Sequence, residues 1–395
     1  MSDDRGFATR AVHAGVPPQV VQRPASVPIY QTSTWGFETS EEFAAVLRGE
    51  RPGHVYGRGY GNPTVEAFEA VMSSLEGTGG AIAYASGMAA IHAVVTCLAS
   101  NGDRIVSSRE LYGGSFALFD KVLPRYGIDV VLVDPHDPSA VAAALAGERT
   151  ALFYVETIAN PLCTVADLTV LAEICRDAGV PSVIDNTFAS PYLCTPASLG
   201  FDYVVHSATK YISGHSDVIA GVVCCASEHR HSLRETTIET GGAMQPFDAW
   251  LCVRGLETLV VRVERQCATG LALATALASN PRVTAVHYPG LADHPHHEVA
   301  RRQLRTGFFG GMLSFEVAGD ADEVAKICES LEIAMLGASL GGTHTLVAHP
   351  ASTTHRQLDR KARLEAGLSD GLVRVSVGLE DTSDIIGDFE QALGG

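Results

Sequence analysis

From about residue 60 to residue 255 the chain alternates short, unbroken apolar runs with longer segments of helical period. The strand-like runs are Arg104–Ser107, Asp129–Asp134, Ala151–Glu156, Ser182–Asp185, Tyr203–His206 and Gly221–Cys225. Strands without polar alternation need cover on both faces, and the helical segments between them can cross over to supply it. One such segment, Leu168–Ala178, ends at Gly179, which suits a left-handed cap. The expectation is an α/β fold built on a mostly parallel sheet.

The flanks differ. Residues 1–60 carry Pro17, Pro18, Pro24, Pro28 and Pro52 with scattered Gly, poor material for a packed unit and better suited to an arm that contacts a neighbouring subunit. From residue 256 a long helical pattern, Leu256–Ala278, precedes strand-like Gly310–Val317 and Gly371–Val377, which alternate with helical Ala321–Glu332 and Ser383–Leu393. The chain therefore divides into an arm (1–60), a large domain (61–255) and a smaller α+β C-terminal domain (256–395). With 395 residues, both domains can bury a core of their own.

Gly77–Gly102 contains no Lys, Arg, Asp or Glu, as a membrane span would. Gly79, Gly80, Ser86, Gly87, His92 and Thr96 interrupt it and no basic residues flank it, so a helix buried under a sheet is expected, and no membrane partner. With 28 Lys+Arg against 45 Asp+Glu the net charge is −17, which argues against nucleic acid as a partner. The nine cysteines sit mostly in apolar runs without a CxxC pair, the pattern of reduced, buried thiols in a cytoplasmic protein with no structural zinc. The first residues, MSDDRG, are acidic where a signal peptide is basic.

Three places carry chemistry. In HSATKYISGHSD, His206–Asp217, Lys210 follows a buried strand immediately, with Ser207 and Thr209 before it and a Gly-bearing turn after it. Burial lowers the pKa of a lysine, and a neutral amine forms a Schiff base with an aldehyde cofactor; a lysine snorkelling from a strand end is the equal alternative on this residue alone. Asp185 ends another strand, where a carboxylate points into the ligand crevice and would pair the ring nitrogen of pyridoxal phosphate, or else caps a helix. Gly87 and Met88 open a helix over Ala89–Leu98, so their N–H groups favour an anion, although a turn without ligand has the same sequence.

These residues belong to a longer series: VHAG (Val12–Gly15), PIYQTST (Pro28–Thr34), NPT (Asn62–Thr64), SGM (Ser86–Met88), YGG (Tyr112–Gly114), DNTFASP (Asp185–Pro191), SATKYISGHSD (Ser207–Asp217), SLGG (Ser339–Gly342) and VRVSVGLED (Val373–Asp381). In this order the series resembles the Cys/Met-metabolism family of pyridoxal-phosphate enzymes, which holds cystathionine γ-synthases, cystathionine γ- and β-lyases, methionine γ-lyases and O-acylhomoserine sulfhydrylases. The resemblance implies fold type I, with a mostly parallel sheet of seven-stranded type in the large domain. It implies that Lys210 is the Schiff-base lysine and proton carrier, Asp185 the ring-nitrogen partner and Tyr112 the aromatic stacked on the ring. Asn160 and Thr187 would lie near the phenolic side. Gly87, Met88, Ser207 and Thr209 would cup the phosphate, with Tyr56 and Arg58 reaching it from the adjacent subunit of a homotetramer. Arg374 would clamp the substrate carboxylate with Ser339 beside it.

Three departures from the family pattern bear on the reaction. Gly59, Tyr60 and Gly61 make three residues between Arg58 and NPT where two are usual. Gly114 stands where methionine γ-lyases carry Cys, and Ala338 where cystathionine-handling enzymes often carry Glu. His294, His296 and His297 could suggest a metal, but family members carry a similar surface segment without one, so none is expected. The expected function is γ-elimination or γ-replacement on a sulfur-containing or O-activated homoserine-type L-amino acid, as in a methionine or cystathionine γ-lyase. Cystathionine γ-synthase or O-acylhomoserine sulfhydrylase activity is the alternative, and a non-catalytic scaffold of the same fold is the rival of another class.

Overall fold

The structure is a computed structural model that describes residues 5–15, 24–353, 360–365 and 367–394. Its large sheet is built from β1 (Gly80–Tyr84), β2 (Arg104–Ser108), β3 (Asp129–Val133), β4 (Thr150–Glu156), β5 (Ser182–Asp185), β6 (Tyr203–His206) and β7 (Gly221–Cys225), in the order β1-β7-β6-β5-β4-β2-β3. Only β7 runs against its neighbours; the other pairings are parallel. One face packs against the helix Pro63–Glu76 through Phe68, Val71, Met72 and Leu75, and against Leu168 and Leu171. The other packs against Ile91, Val94 and Val95 of the helix Gly87–Leu98. This is the two-sided cover that the unbroken apolar runs require.

A second sheet orders β10 (Met335–Leu336), β11 (Leu346–Ala348), β12 (Leu372–Ser376), β9 (Met312–Val317) and β8 (Val283–His287). Leu313, Phe315 and Val375 bury against Leu273 of the helix Leu259–Ala278 and Phe389 of the helix Thr382–Ala392. Fold type I, a large α/β domain with a smaller α+β one, is therefore the architecture.

The structure departs from the sequence expectations at several elements. Gly80–Tyr84 is a strand, not part of a buried helix; its five residues are all buried, and so short an apolar run carries no period to tell helix from strand. The pattern Leu256–Ala278 is two helices, Pro246–Glu257 and Leu259–Ala278, that meet at Thr258. β8, β10 and β11 were not expected; they are short, and β8 and β10 lack buried positions. Of the prolines that mark the arm, Pro17 and Pro18 lie outside the described residues. The helix Phe7–His13 buries Ala11 in the core of its own chain. Ser40–Leu47 buries nothing.

At the junction of the helices Pro246–Glu257 and Leu259–Ala278, Arg262 is 3% exposed and its guanidinium meets only neutral acceptors. Nη2 donates to Gly255 O (2.7 Å) at the negative end of the helix Pro246–Glu257, Nη1 to Tyr211 O (2.9 Å) and Nε to the Thr258 hydroxyl (3.1 Å). Burial pulls its pKa down to about 10, and it stays a cation that ties the segment after Lys210 to both helices. Replacing Arg262 with Met leaves the buried Tyr211 O without its donor and Gly255 O with only its Thr258 donors, and should lower stability by about 1–3 kcal/mol. Urea denaturation would check this; an unchanged midpoint would remove Arg262 from the framework of the site.

Candidate active site

Parallel strands deliver their carboxyl ends to one edge of a sheet, and that edge holds the functional groups. A cavity of about 520 Å³ opens there, lined by Gly87, Met88, Tyr112, Asn160, Asp185, Thr187, Ser207, Thr209, Lys210, Ser339 and Arg374, so the structure brings together every residue singled out in the sequence except Tyr56 and Arg58.

Lys210 is largely desolvated, and its Nζ donates to the Ser339 hydroxyl at 2.9 Å. Burial, reinforced by the charge of Arg374, lowers its pKa to about 8. Arg374 lies on β12 of the second sheet, 7% exposed, and donates from Nη2 to Ser339 O (2.9 Å) and from Nη1 to Asn160 Oδ1 (3.4 Å). Its Nε is buried without a partner. Ser339 thus meets the amine with its hydroxyl and the guanidinium with its carbonyl. It does so with φ at +94°, a conformation that a residue with a side chain adopts only when its surroundings hold it there.

Asp185 ends β5 and accepts the Thr187 N–H at 2.9 Å and the Tyr154 hydroxyl at 3.3 Å. Glu156 ends β4 directly opposite it in register and accepts the Tyr112 N–H. Burial and mutual repulsion push the pKa of Glu156 up, and burial pushes that of Asp185 up. Glu156 lines the cavity and was missed in the sequence, although β4 ends in a carboxylate just as β5 does.

On the opposite wall, Ser86 caps the helix Gly87–Leu98 by accepting the Ala89 N–H at 3.0 Å, which leaves the N–H groups of Gly87 and Met88 at the positive end of the helix. A Cβ on Gly87 would lie 2.7 Å from Ser207 Cβ, so only glycine keeps this end of the cavity open. The Thr187 hydroxyl accepts the Ser207 N–H (2.8 Å), and Thr209 exchanges hydrogen bonds with Ala220. Tyr112 is half-exposed, and its ring lies over Gly114, where any side chain would strike it.

Tyr56 and Arg58 line a different hollow, with Gly241–Pro246, and Arg58 donates to Ile238 O. The extra residue before NPT is absorbed in a turn: the Tyr60 N–H donates to Tyr56 O, and Gly61 sits at φ +94°, where a Cβ would lie 2.6 Å from the His54 ring. Asn62 still caps the helix Pro63–Glu76. His294 and His296 are spent on backbone N–H groups, those of His296 and Val165 respectively. Among the described residues no group of three or more His, Cys, Asp or Glu could hold a metal ion, and no helix is long and apolar enough to cross a membrane.

The chain is 41% identical over 391 residues to an L-methionine gamma-lyase of Porphyromonas gingivalis, covering 98% of this chain and 97% of that protein. It is 42% identical over 402 residues to a cystathionine gamma-synthase of Mycobacterium tuberculosis, covering both chains in full. The solved cystathionine gamma synthase of Xanthomonas oryzae pv. oryzae, in complex with aminoacrylate and cysteine, superposes with a TM-score of 0.92 at 36% identity, covering 98% of each chain. Residues 8–394 match the family described as Cys/Met metabolism PLP-dependent enzyme, and the chain belongs to that family, with pyridoxal phosphate as its cofactor.

Proposed function

We propose that this cavity carries out γ-elimination or γ-replacement on a sulfur-containing or O-activated homoserine-type L-amino acid, as a methionine or cystathionine γ-lyase-like carbon–sulfur lyase. The alternative on the same residues is cystathionine γ-synthase or O-acylhomoserine sulfhydrylase chemistry, in which a thiol adds at the γ carbon. The observation that carries this proposal is the desolvated amine of Lys210, joined through Ser339 to the buried guanidinium of Arg374.

When bound, pyridoxal phosphate supplies an electron sink that makes the protons on the α and β carbons of an amino acid removable. The side chains of this protein bind, orient and move protons. Lys210 Nζ would hold the cofactor through its aldehyde and would be the group that takes and returns protons at those two carbons. Asp185 would pair the ring nitrogen, Tyr112 would stack on the ring, and Asn160 and Thr187 would hold its phenolic side. The N–H groups of Gly87 and Met88 would hold the phosphate, with the hydroxyls of Ser207 and Thr209 beside them, at an end of the cavity where a Cβ on Gly87 would strike Ser207. Arg374 takes the substrate α-carboxylate in a bidentate grip, with Ser339 alongside.

Tyr56 and Arg58 reach the phosphate held by a neighbouring subunit in a homotetramer built of two such dimers. Their place outside their own cavity supports this, as do the exposed apolar side chains Ile29, Tyr30, Phe43, Leu47, Tyr56 and Tyr60 on the first part of the chain, which a neighbour would cover. The division into an arm (1–60), a large domain (61–255) and a small domain (256–395), and a cytoplasmic location for the reduced thiols, belong to the same proposal.

Three measurements test it. Capture of pyridoxal phosphate by the apoprotein should speed up as pH rises through about 8, because the neutral amine of Lys210 is the reacting form, and Lys210→Ala should fold but stay colourless and inactive. Arg58→Ala should loosen cofactor retention by about tenfold through loss of a charge-assisted contact; a monomer that holds the cofactor as firmly as the oligomer would contradict the shared site. Ala338→Glu restores a carboxylate that could pair a distal substrate ammonium, and should raise kcat/KM for cystathionine relative to methionine by about tenfold. An unmoved ratio, or a native preference for cystathionine, would remove Ala338 from specificity.

A further inference from the structure

Glu76 ends the helix Pro63–Glu76 and His206 ends β6; each is 1% exposed, and neither lines the cavity. His206 Nε2 and Glu76 Oε1 lie 2.6 Å apart, and Asn186 Nδ2 donates to the same oxygen at 3.0 Å. Asn186 is the residue after Asp185 and is itself held on both sides, donating to Cys194 O (2.9 Å) and accepting from the Thr157 hydroxyl (2.8 Å). Glu76 Oε2 and His206 Nδ1 remain buried with no hydrogen-bond partner.

Such a pair is a costly way to hold a helix on a sheet. A carboxylate at the last residue of a helix faces the negative end of the macrodipole, and a fully buried ion pair is commonly replaced by apolar side chains with no loss of stability. The location supplies a reason for it. His206 shares the face of Val204, under the helix Pro63–Glu76, whereas Asp185 shares the face of Val183, so the imidazole lies at the same strand ends as Asp185 but on the other side of the sheet. Other titratable groups near these strand ends are Lys210, which follows β6, and Glu156 and Tyr154 on β4, Cys194 after β5 and Cys224 on β7, acids whose ionisation burial opposes. Burial raises the pKa of Asp185, and the Thr187 hydrogen bonds and then the nearby imidazole of His206 act in the opposite sense.

We propose that Glu76 and His206 are positioning residues for the cofactor, a buried pair in which Glu76 holds His206 and Asn186 in place and His206 stabilises the carboxylate form of Asp185 that meets the ring nitrogen of pyridoxal phosphate. The proposal rests on Asp185 being the partner of that nitrogen.

The test reconstitutes the full chain with pyridoxal phosphate carrying ¹⁵N in its ring and compares the ring-nitrogen chemical shift in the wild type, Glu76→Gln, His206→Gln and Asp185→Asn. In Glu76→Gln and in His206→Gln the shift should move from the protonated toward the neutral ring value. Affinity of the apoprotein for the cofactor should fall by about tenfold, as when the outer hydrogen-bond partners of metal ligands are removed. A contact that only held the helix would change thermal stability and leave the nitrogen shift alone. If one of the two variants fails to fold, the other decides, and an unchanged shift in the folded variant overturns the proposal. If Asp185→Asn also leaves the shift unchanged, the assignment of Asp185 has failed; if Asp185→Asn moves it while the other two do not, the fault lies with Glu76 and His206.

Discussion

Every group in the cavity depends on the direction of the strands. With β7 alone reversed, β4, β5 and β6 bring Glu156, Asp185 and the Lys210 segment to one edge of the large sheet, and β1 leads into the helix whose N-terminus faces them. No loop has to carry these residues far from the framework. β12 of the second sheet then needs to contribute only Arg374, and the segment before β11 only Ser339. Arg262 holds these parts in register, because its carbonyl partners belong both to the turn after Lys210 and to the end of the preceding helix.

That edge is also where desolvation is most costly, and the charges are sorted so that they do not cancel within the protein. Burial, and then the charge of Arg374, depress the ionisation of Lys210, burial depresses that of Arg374, and among the described residues neither is paired with a carboxylate. Glu156 and Asp185 stand together in the sheet, each burdened by burial. A cavity with unneutralised cations on one side and acids on the other is complementary to an anionic substrate joined to a ring that carries a protonated nitrogen. Internal salt bridges would have stabilised the empty protein and been broken on binding.

How far this could be read from the sequence follows from the range over which each feature acts. β2 to β7 were legible because they are unbroken apolar runs, and Lys210, Asp185 and Gly87 because each sits beside such a run in a short motif. β1 was not, since five apolar residues next to a helix share its composition. Glu156 had a local signal, a carboxylate at a strand end, that was available and overlooked. Glu76 had none: its contact with His206 spans 130 positions, and a glutamate before a glycine is what any helix end looks like. The three residues before NPT looked like a disruption, yet the left-handed Gly61 confines them to a turn that leaves the Asn62 cap intact.

On the proposed reading, selectivity at the γ carbon follows from what the far wall lacks. Beyond Lys210 that wall is formed by Ile219, Ala338 and Leu340, with no carboxylate among them. Apolar walls separate apolar substituents weakly, by about 1–3 kcal/mol per methylene, whereas a buried group built to pair a charge rejects a ligand that lacks it far more strongly. Such a wall would admit methylthio and acyl leaving groups of different sizes without discriminating sharply among them, and a distal ammonium would meet no carboxylate on Ile219, Ala338 or Leu340 to offset its loss of water. Gly114 works in the same direction from the opposite side, because the ring of Tyr112 settles into the space a side chain would take. On the proposed reading the reacting groups sit at the strand ends and specificity rests on side chains that are missing, so a change at Ala338 or Gly114 should alter the substrate while Lys210, Asp185 and Arg374 keep their geometry.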